Sequence, residues 1–189
     1  MRQDLLMWLT FLKSFNGISM FNEAFWTFNS DVCLYTDSSA AADHGFCATF
    51  GNQLSIGVWP IRWHESGLTK DITILEFFPL LVAIHIWGTD LRNKKVLFRC
   101  DNQAVVNIVN RQTSKSDKVM VLVRAFTLHC LRLNIVFKAE YLPGKMNCVT
   151  DSLSRLQLDR FRRLAPQAEQ EPKAVPRNLW NIFEEELLN

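Results

Sequence analysis

The sequence predicts an α/β fold: a mixed five-stranded sheet, three antiparallel strands and then two parallel ones, with helices on both faces. Three observations predict it. Short apolar runs bounded by turn residues come first, helix-length apolar runs come later, and the order along the chain is β-β-β-α-β-α-α-β-α. Hairpin-linked strands followed by crossover helices build a sheet of this kind. The 189 residues, 48% hydrophobic and 21% charged, suit one domain with an appendage and exclude a wholly disordered chain.

The elements follow in order. Residues 1–30 read as a connector. It opens with an amphipathic helix carrying Leu5, Leu6, Trp8, Leu9, Phe11 and Leu12, stopped at Asn16-Gly17, and continues as an irregular aromatic stretch over 21–29. The domain proper spans 31–157. Residues 32–36 form a strand that ends in Asp37, and 45–50 and 53–59 flank the hairpin turn Gly51-Asn52. Residues 72–88 have helical length and spacing, with Leu75, Phe78, Val82 and Ile86 on related faces; Pro79 predicts a kink or a later start. Residues 95–99 form a strand running into Asp101, and 102–110 a short helix. Residues 116–131 form a longer helix with Val119, Leu122, Val123, Phe126 and Cys130 at its spacing. A strand over 133–141 is broken by Pro143-Gly144, and 149–156 is a last short helix. Residues 158–189 read as a charged tail or linker with Pro166, Pro172 and Pro176, ending in an acidic helix or docking segment over 179–188.

No apolar stretch reaches 18 residues, so no membrane span is expected, and the N-terminus lacks the clean apolar run of a signal peptide. Cys33, Cys47, Cys100, Cys130 and Cys148 are odd in number and widely spaced. They read as free thiols in a reducing, intracellular compartment, without zinc spacing. Charge is uneven: residues 92–163 hold fifteen Lys/Arg and five Asp/Glu, and the remainder six and fourteen. A basic middle is the footprint of a polyanion partner, or a solvated surface whose charges cluster.

Four carboxylates stand out by placement. Asp37 and Asp101 end strands, Glu76 opens an apolar helix, and Asp151 opens the last helix. Each has a structural alternative: Asp37 a turn, Asp101 a helix cap, Glu76 a capping box with Thr73, and Asp151 a favourable charge at a helix N-terminus. Together they fall at one end of one sheet, where ligands gather in open α/β folds. Clustered carboxylates need a cation, and an oxygen set without His or Cys suits Mg²⁺ or Mn²⁺ over zinc. Two such ions act on phosphodiesters.

These residues carry a resemblance. Leu34-Tyr35-Thr36-Asp37-Ser38-Ser39, Glu76 in Leu75-Glu76-Phe77-Phe78-Pro79-Leu80, and Arg99-Cys100-Asp101-Asn102-Gln103-Ala104-Val105 resemble the catalytic strands and helix of type 1 ribonuclease H. Tyr141-Leu142-Pro143-Gly144-Lys145 through Asn147, then Thr150-Asp151-Ser152-Leu153-Ser154-Arg155, is similar to the closing motif of retrotransposon ribonuclease H domains. Phe15-Asn16-Gly17 and Phe161-Arg162-Arg163-Leu164-Ala165-Pro166 resemble flanks in DIRS-like polyproteins, related to gypsy-like ones. The resemblance implies a ribonuclease H-like fold downstream of a reverse transcriptase. It implies Mg²⁺- or Mn²⁺-dependent hydrolysis of the RNA strand of RNA–DNA hybrids, with two ions held by Asp37, Glu76, Asp101 and Asp151. Ser38, Ser39, Asn102 and Gln103, beside those positions, are candidates for substrate contact or for turn and cap duty. The loop over 143–150 lacks the histidine of cellular and retroviral members, which implies slower product release. Thr150 and Ser152 stand where Ala is usual. The second reading is a catalytically silent structural or nucleic-acid-binding module. Trp59-Pro60 and Trp63 suit sheet-edge cover or an aromatic nucleic-acid contact, and His85 and His129 read as core or interface residues.

Overall fold

A computed structural model describes residues 2–15, 34–39 and 44–184. The expected stop at Asn16-Gly17, the connector over 21–29, the opening of the first strand and the end of the acidic segment lie outside these. The elements are α1 (Arg2–Ser14), β1 (Leu34–Ser38), β2 (Gly45–Phe50), β3 (Gln53–Val58), α2 (Ile61–Glu65), α3 (Ile72–Trp87), β4 (Lys95–Cys100), α4 (Gln103–Arg111), α5 (Asp117–Arg132), β5 (Val136–Tyr141), α6 (Cys148–Ser154) and α7 (Leu158–Leu164). Short 3₁₀ turns cover Leu68–Lys70, Gly144–Met146 and Arg177–Asn181. One sheet has the order β3-β2-β1-β4-β5. β1–β2 and β2–β3 are antiparallel, while β1–β4 and β4–β5 are parallel. This is the predicted mixed sheet in its ribonuclease H-like arrangement.

The first hairpin forms because Gly51 adopts a positive φ of 58° at its turn, a conformation glycine takes without a side-chain penalty. α3 is apolar on all sides, so it is buried on all sides: Ile74 through Ile84 lie in the core. It packs between the sheet and α5, with Phe77 and Phe98 both edge-on to Phe126 at 5.7 and 5.6 Å. Pro79 neither breaks α3 nor delays it; burial around the helix outweighs the one lost hydrogen bond. His85 and His129 stack at 3.9 Å across the α3–α5 contact, and burial pushes both below the ordinary histidine range, His129 to about 4.

On the other face, α6 and α7 cover the hairpin. Leu153, Phe161 and Ala165 pack on Cys47 and Leu54 as a second small core. The chain beyond Ala165 departs from the linker reading. The Arg162 guanidinium donates to the carbonyls of Ala168, Glu169 and Gln170, which bends the chain back. The Lys173 amide then donates to the Leu54 carbonyl at 2.7 Å, and the Ser55 hydroxyl to the Lys173 carbonyl. Leu179 is buried, and Trp180 packs on Phe46, Trp63 and Phe78. This strap closes the outer edge of β3. Its prolines and charges gave it a linker's composition, but its few apolar residues are its anchors. Trp59 and Trp63 are buried beneath it, stacked at 5.6 Å, as internal cover. Cys47, Cys100 and Cys130 are buried free thiols, and Cys148 is a half-buried one. Among the described residues no helix is long and apolar enough to cross a membrane.

Candidate metal centre

The parallel pairing of β1 and β4 at the middle of the sheet brings the ends of both strands side by side. Asp37 is the fourth residue of β1, one short of its end, and Asp101 directly follows β4. α3 supplies Glu76 from one face and α6 supplies Asp151 from the other. Glu76 reaches the site because Asp71 caps α3, accepting from the Thr73 and Ile74 amides; the capping box with Thr73 is not formed. Asn102 likewise caps α4, accepting from the Ala104 and Val105 amides, which frees Asp101 from cap duty.

The site is buried and acidic. Asp37 is 6% exposed and Glu76 8%. Oxygens of Glu76 and Asp101 and the Cys100 sulfur lie within 4.8 Å of one another. Burial is the main force on each acid. It pushes Asp37 up to about 7, partly offset by the Ser154 hydroxyl, with Asp101 and Asp151 adding repulsion. It pushes Glu76 up to about 8, with repulsion from Asp37 and Asp101 and a small offset from Ser38. Asp101 is raised for the same reasons, with Asn147 pulling it back. Burial also pushes the Cys100 thiol to about 12.

Several neighbours hold the acids in place. The Ser154 hydroxyl donates to Asp37 Oδ2 at 2.6 Å. Asn147, 4% exposed, donates to the Thr36 carbonyl at 3.3 Å and accepts from the Thr150 hydroxyl, pinning the loop before α6 to β1. Asp151 stands apart from the tight group: Arg155 Nε meets its Oδ1 at 2.7 Å, and Arg160 Nη1 its Oδ2 at 3.4 Å. Thus Glu76 and Asp101 come together beside Cys100, and Asp37 and Asp151 adjoin them through their charges.

The candidate substrate residues differ among themselves. The Ser38 hydroxyl is buried beside Glu76 and has no partner of full hydrogen-bond geometry among the described residues. The Ser39 hydroxyl pairs with His44 Nδ1 at 2.7 Å, and its carbonyl accepts from the Trp59 indole. Asn102 serves as the cap, and Gln103 is exposed at the first residue of α4. Sequence reasoning passed over Ser154, Asn147, Arg155 and Arg160 as site residues. The signal for the first and third was their spacing, three and four residues from Asp151 on one helical turn.

The donor set fits a hard divalent cation. Its oxygens are carboxylates, and its one sulfur is a protonated thiol that already accepts from the Asn102 amide at 3.4 Å. Acids whose proton affinity is raised by burial and by neighbouring acids mark a site short of positive charge. A scan against family models finds no match for this chain, and a search of curated proteins finds none either.

Proposed function

We propose that the protein is a Mg²⁺- or Mn²⁺-dependent endonuclease that hydrolyses the RNA strand of RNA–DNA hybrids, working beside a reverse transcriptase of the same polyprotein. The observation that carries this reading is the meeting of Glu76 and Asp101, with Asp37 and Asp151 adjoining through their charges, at the ends of the two central parallel strands. The closing-motif resemblance and the basic segment over 92–163 point the same way.

Asp37, Glu76 and Asp101 would hold the cations, and Asp151 would complete the shell. Bound there, the cations supply the positive charge that offsets the carboxylates and polarises a phosphodiester and its attacking water. The chain's own residues do the rest. Ser154 fixes the Asp37 carboxylate by its 2.6 Å bond, and Asn147 ties the loop to β1 beside Asp101. Burial of Asp37 and Glu76 strengthens the charge interactions they make. Gln103, exposed at the start of α4, is the candidate here for meeting a 2′-hydroxyl or phosphate, while the buried Ser38 hydroxyl lies beside Glu76. Burial and the neighbouring acids raise the proton affinity of Glu76, so a proton and a cation would compete for it.

The test is cleavage of a labelled RNA–DNA hybrid with Mg²⁺, with and without EDTA, beside single-stranded RNA and duplex DNA. Metal-dependent cutting confined to the RNA strand of the hybrid is expected, and Asp37→Asn is expected to abolish it with the fold intact. One observation favours a second reading, the catalytically silent nucleic-acid-binding module: both Asp151 oxygens are taken by arginines. Hybrid binding by a folded protein that never cuts would select it.

A further inference from the structure

The two arginines on Asp151 have a use that the carboxylates alone do not explain. Arg155 closes α6 one turn beyond Asp151, and Arg160 lies on α7, steadied by the Gln157 side chain at 3.0 Å. All three charged side chains open to solvent: 49% exposed for Arg155, 45% for Arg160 and 31% for Asp151. Ion pairs this exposed are weak and readily exchanged. Their neighbour Arg162 is instead committed to three strap carbonyls. A carboxylate and a phosphodiester present the same two-oxygen face to a guanidinium. The arginines therefore sit at the rim of the acidic cluster, on a partner that a phosphate would replace like for like.

We propose that Arg155 and Arg160 form a phosphodiester-binding subsite beside the acidic cluster, and that the Asp151 carboxylate occupies this subsite whenever no polyanion is bound. The proposal rests on the reading above, in which the carboxylates hold a divalent cation. Asp151 serves one role at a time. A nucleic-acid backbone draws the arginines onto its phosphates and leaves Asp151 to the cation, so each ligand favours the other. Metal and substrate are then recognised together.

The test uses the full chain with two probes. Mn²⁺ affinity is read from the spin-resonance signal of free Mn²⁺. Binding of an RNA–DNA hybrid is read by fluorescence anisotropy in EDTA over a range of salt. The double variant Arg155→Gln/Arg160→Gln is expected to bind Mn²⁺ roughly 3- to 10-fold tighter without nucleic acid. Its hybrid salt slope is expected to fall by about 2, close to one per arginine, while Arg177→Gln leaves the slope unchanged. Asp151→Asn, which releases the arginines without removing them, is expected to bind the hybrid more tightly in EDTA. An unchanged salt slope in the double variant overturns the subsite. An unchanged Mn²⁺ affinity, in a protein whose wild type binds Mn²⁺, overturns the exchange of partners. A wild type that binds no Mn²⁺ overturns the cation reading itself, a failure separate from that of the salt slope.

Discussion

Replacing Glu76 by Gln should make the metal-free protein more stable at alkaline pH and leave it unchanged in acid. Burial and the neighbouring Asp37 and Asp101 lift Glu76 from its ordinary 4.5 to about 8. An acid that holds its proton more tightly folded than unfolded stabilises the fold fully below pH 4.5. It loses that contribution as the pH rises towards 8. Each tenfold change in proton affinity is worth about 1.4 kcal/mol, so the ceiling on the loss is roughly 5 kcal/mol. A glutamine amide must find its own partners, which lowers the expected gain at pH 8.5 to about 2 kcal/mol. For a chain of this length that is a rise of roughly 4–8 °C in melting temperature. The assay is thermal unfolding in EDTA at pH 4 and pH 8.5, followed by circular dichroism. Millimolar Mg²⁺ at pH 8.5 should then raise the wild type by mass action and the variant much less. A variant that melts below wild type at pH 8.5, or by the same margin at both pH values, would refute the claim that Glu76 carries uncompensated buried charge.

Three other outcomes follow from single contacts. Ser154→Ala removes the 2.6 Å donor to Asp37, so Asp37 holds its proton harder and the acid limb of the cleavage–pH profile should move up by about one pH unit; an unmoved limb would show that the bond is dispensable. Phe161→Ala empties the small core under α7 and should cost about 3–5 kcal/mol in urea unfolding, whereas a cost below about 1 kcal/mol would mean that α7 is not part of the folded core. Gly57→Ala would set a Cβ 2.4 Å from the Phe46 ring, and the forced shift should cost about 1–3 kcal/mol, checked by the same melt; a neutral change would mean that the Phe46 ring yields freely.

Asp37 and Asp101 were legible in the sequence because a short apolar run that ends in an acid is a strand delivering a charge to an edge. Glu76 was legible because an acid at the start of an otherwise apolar helix must be held by something. Asp71, two residues before Thr73, performs the capping that made a structural role for Glu76 plausible. The partners of these acids were harder to see. Ser154 meets Asp37 from 117 residues away, and no local pattern encodes such a pairing. The strap was missed for a related reason. Its fold depends on Leu179, Trp180 and the Arg162 clamp, three anchors among residues whose average composition is that of a solvated tail. α2 was missed because Pro60 precedes it and it is only five residues long.

The span of these long-range contacts sets the order in which the molecule can be completed. Ser55 and Lys173 are 118 residues apart, Cys47 and Thr150 are 103 apart, and Arg62 reaches Trp180 across another 118. Pairings this distant in sequence slow folding, because the intervening loop must close before any contact repays it. During synthesis the β2–β3 hairpin emerges well before its cover: its outer edge waits for Lys173 and its lower face for Thr150. Until then β3 presents unpaired backbone and Phe46 lacks the Trp180 side of its cover, so the nascent chain is most open to strand-to-strand association late in its translation. The carboxylates assemble on a similar schedule: Asp37 gains its hydroxyl partner only after Ser154 has been added, before the strap is made.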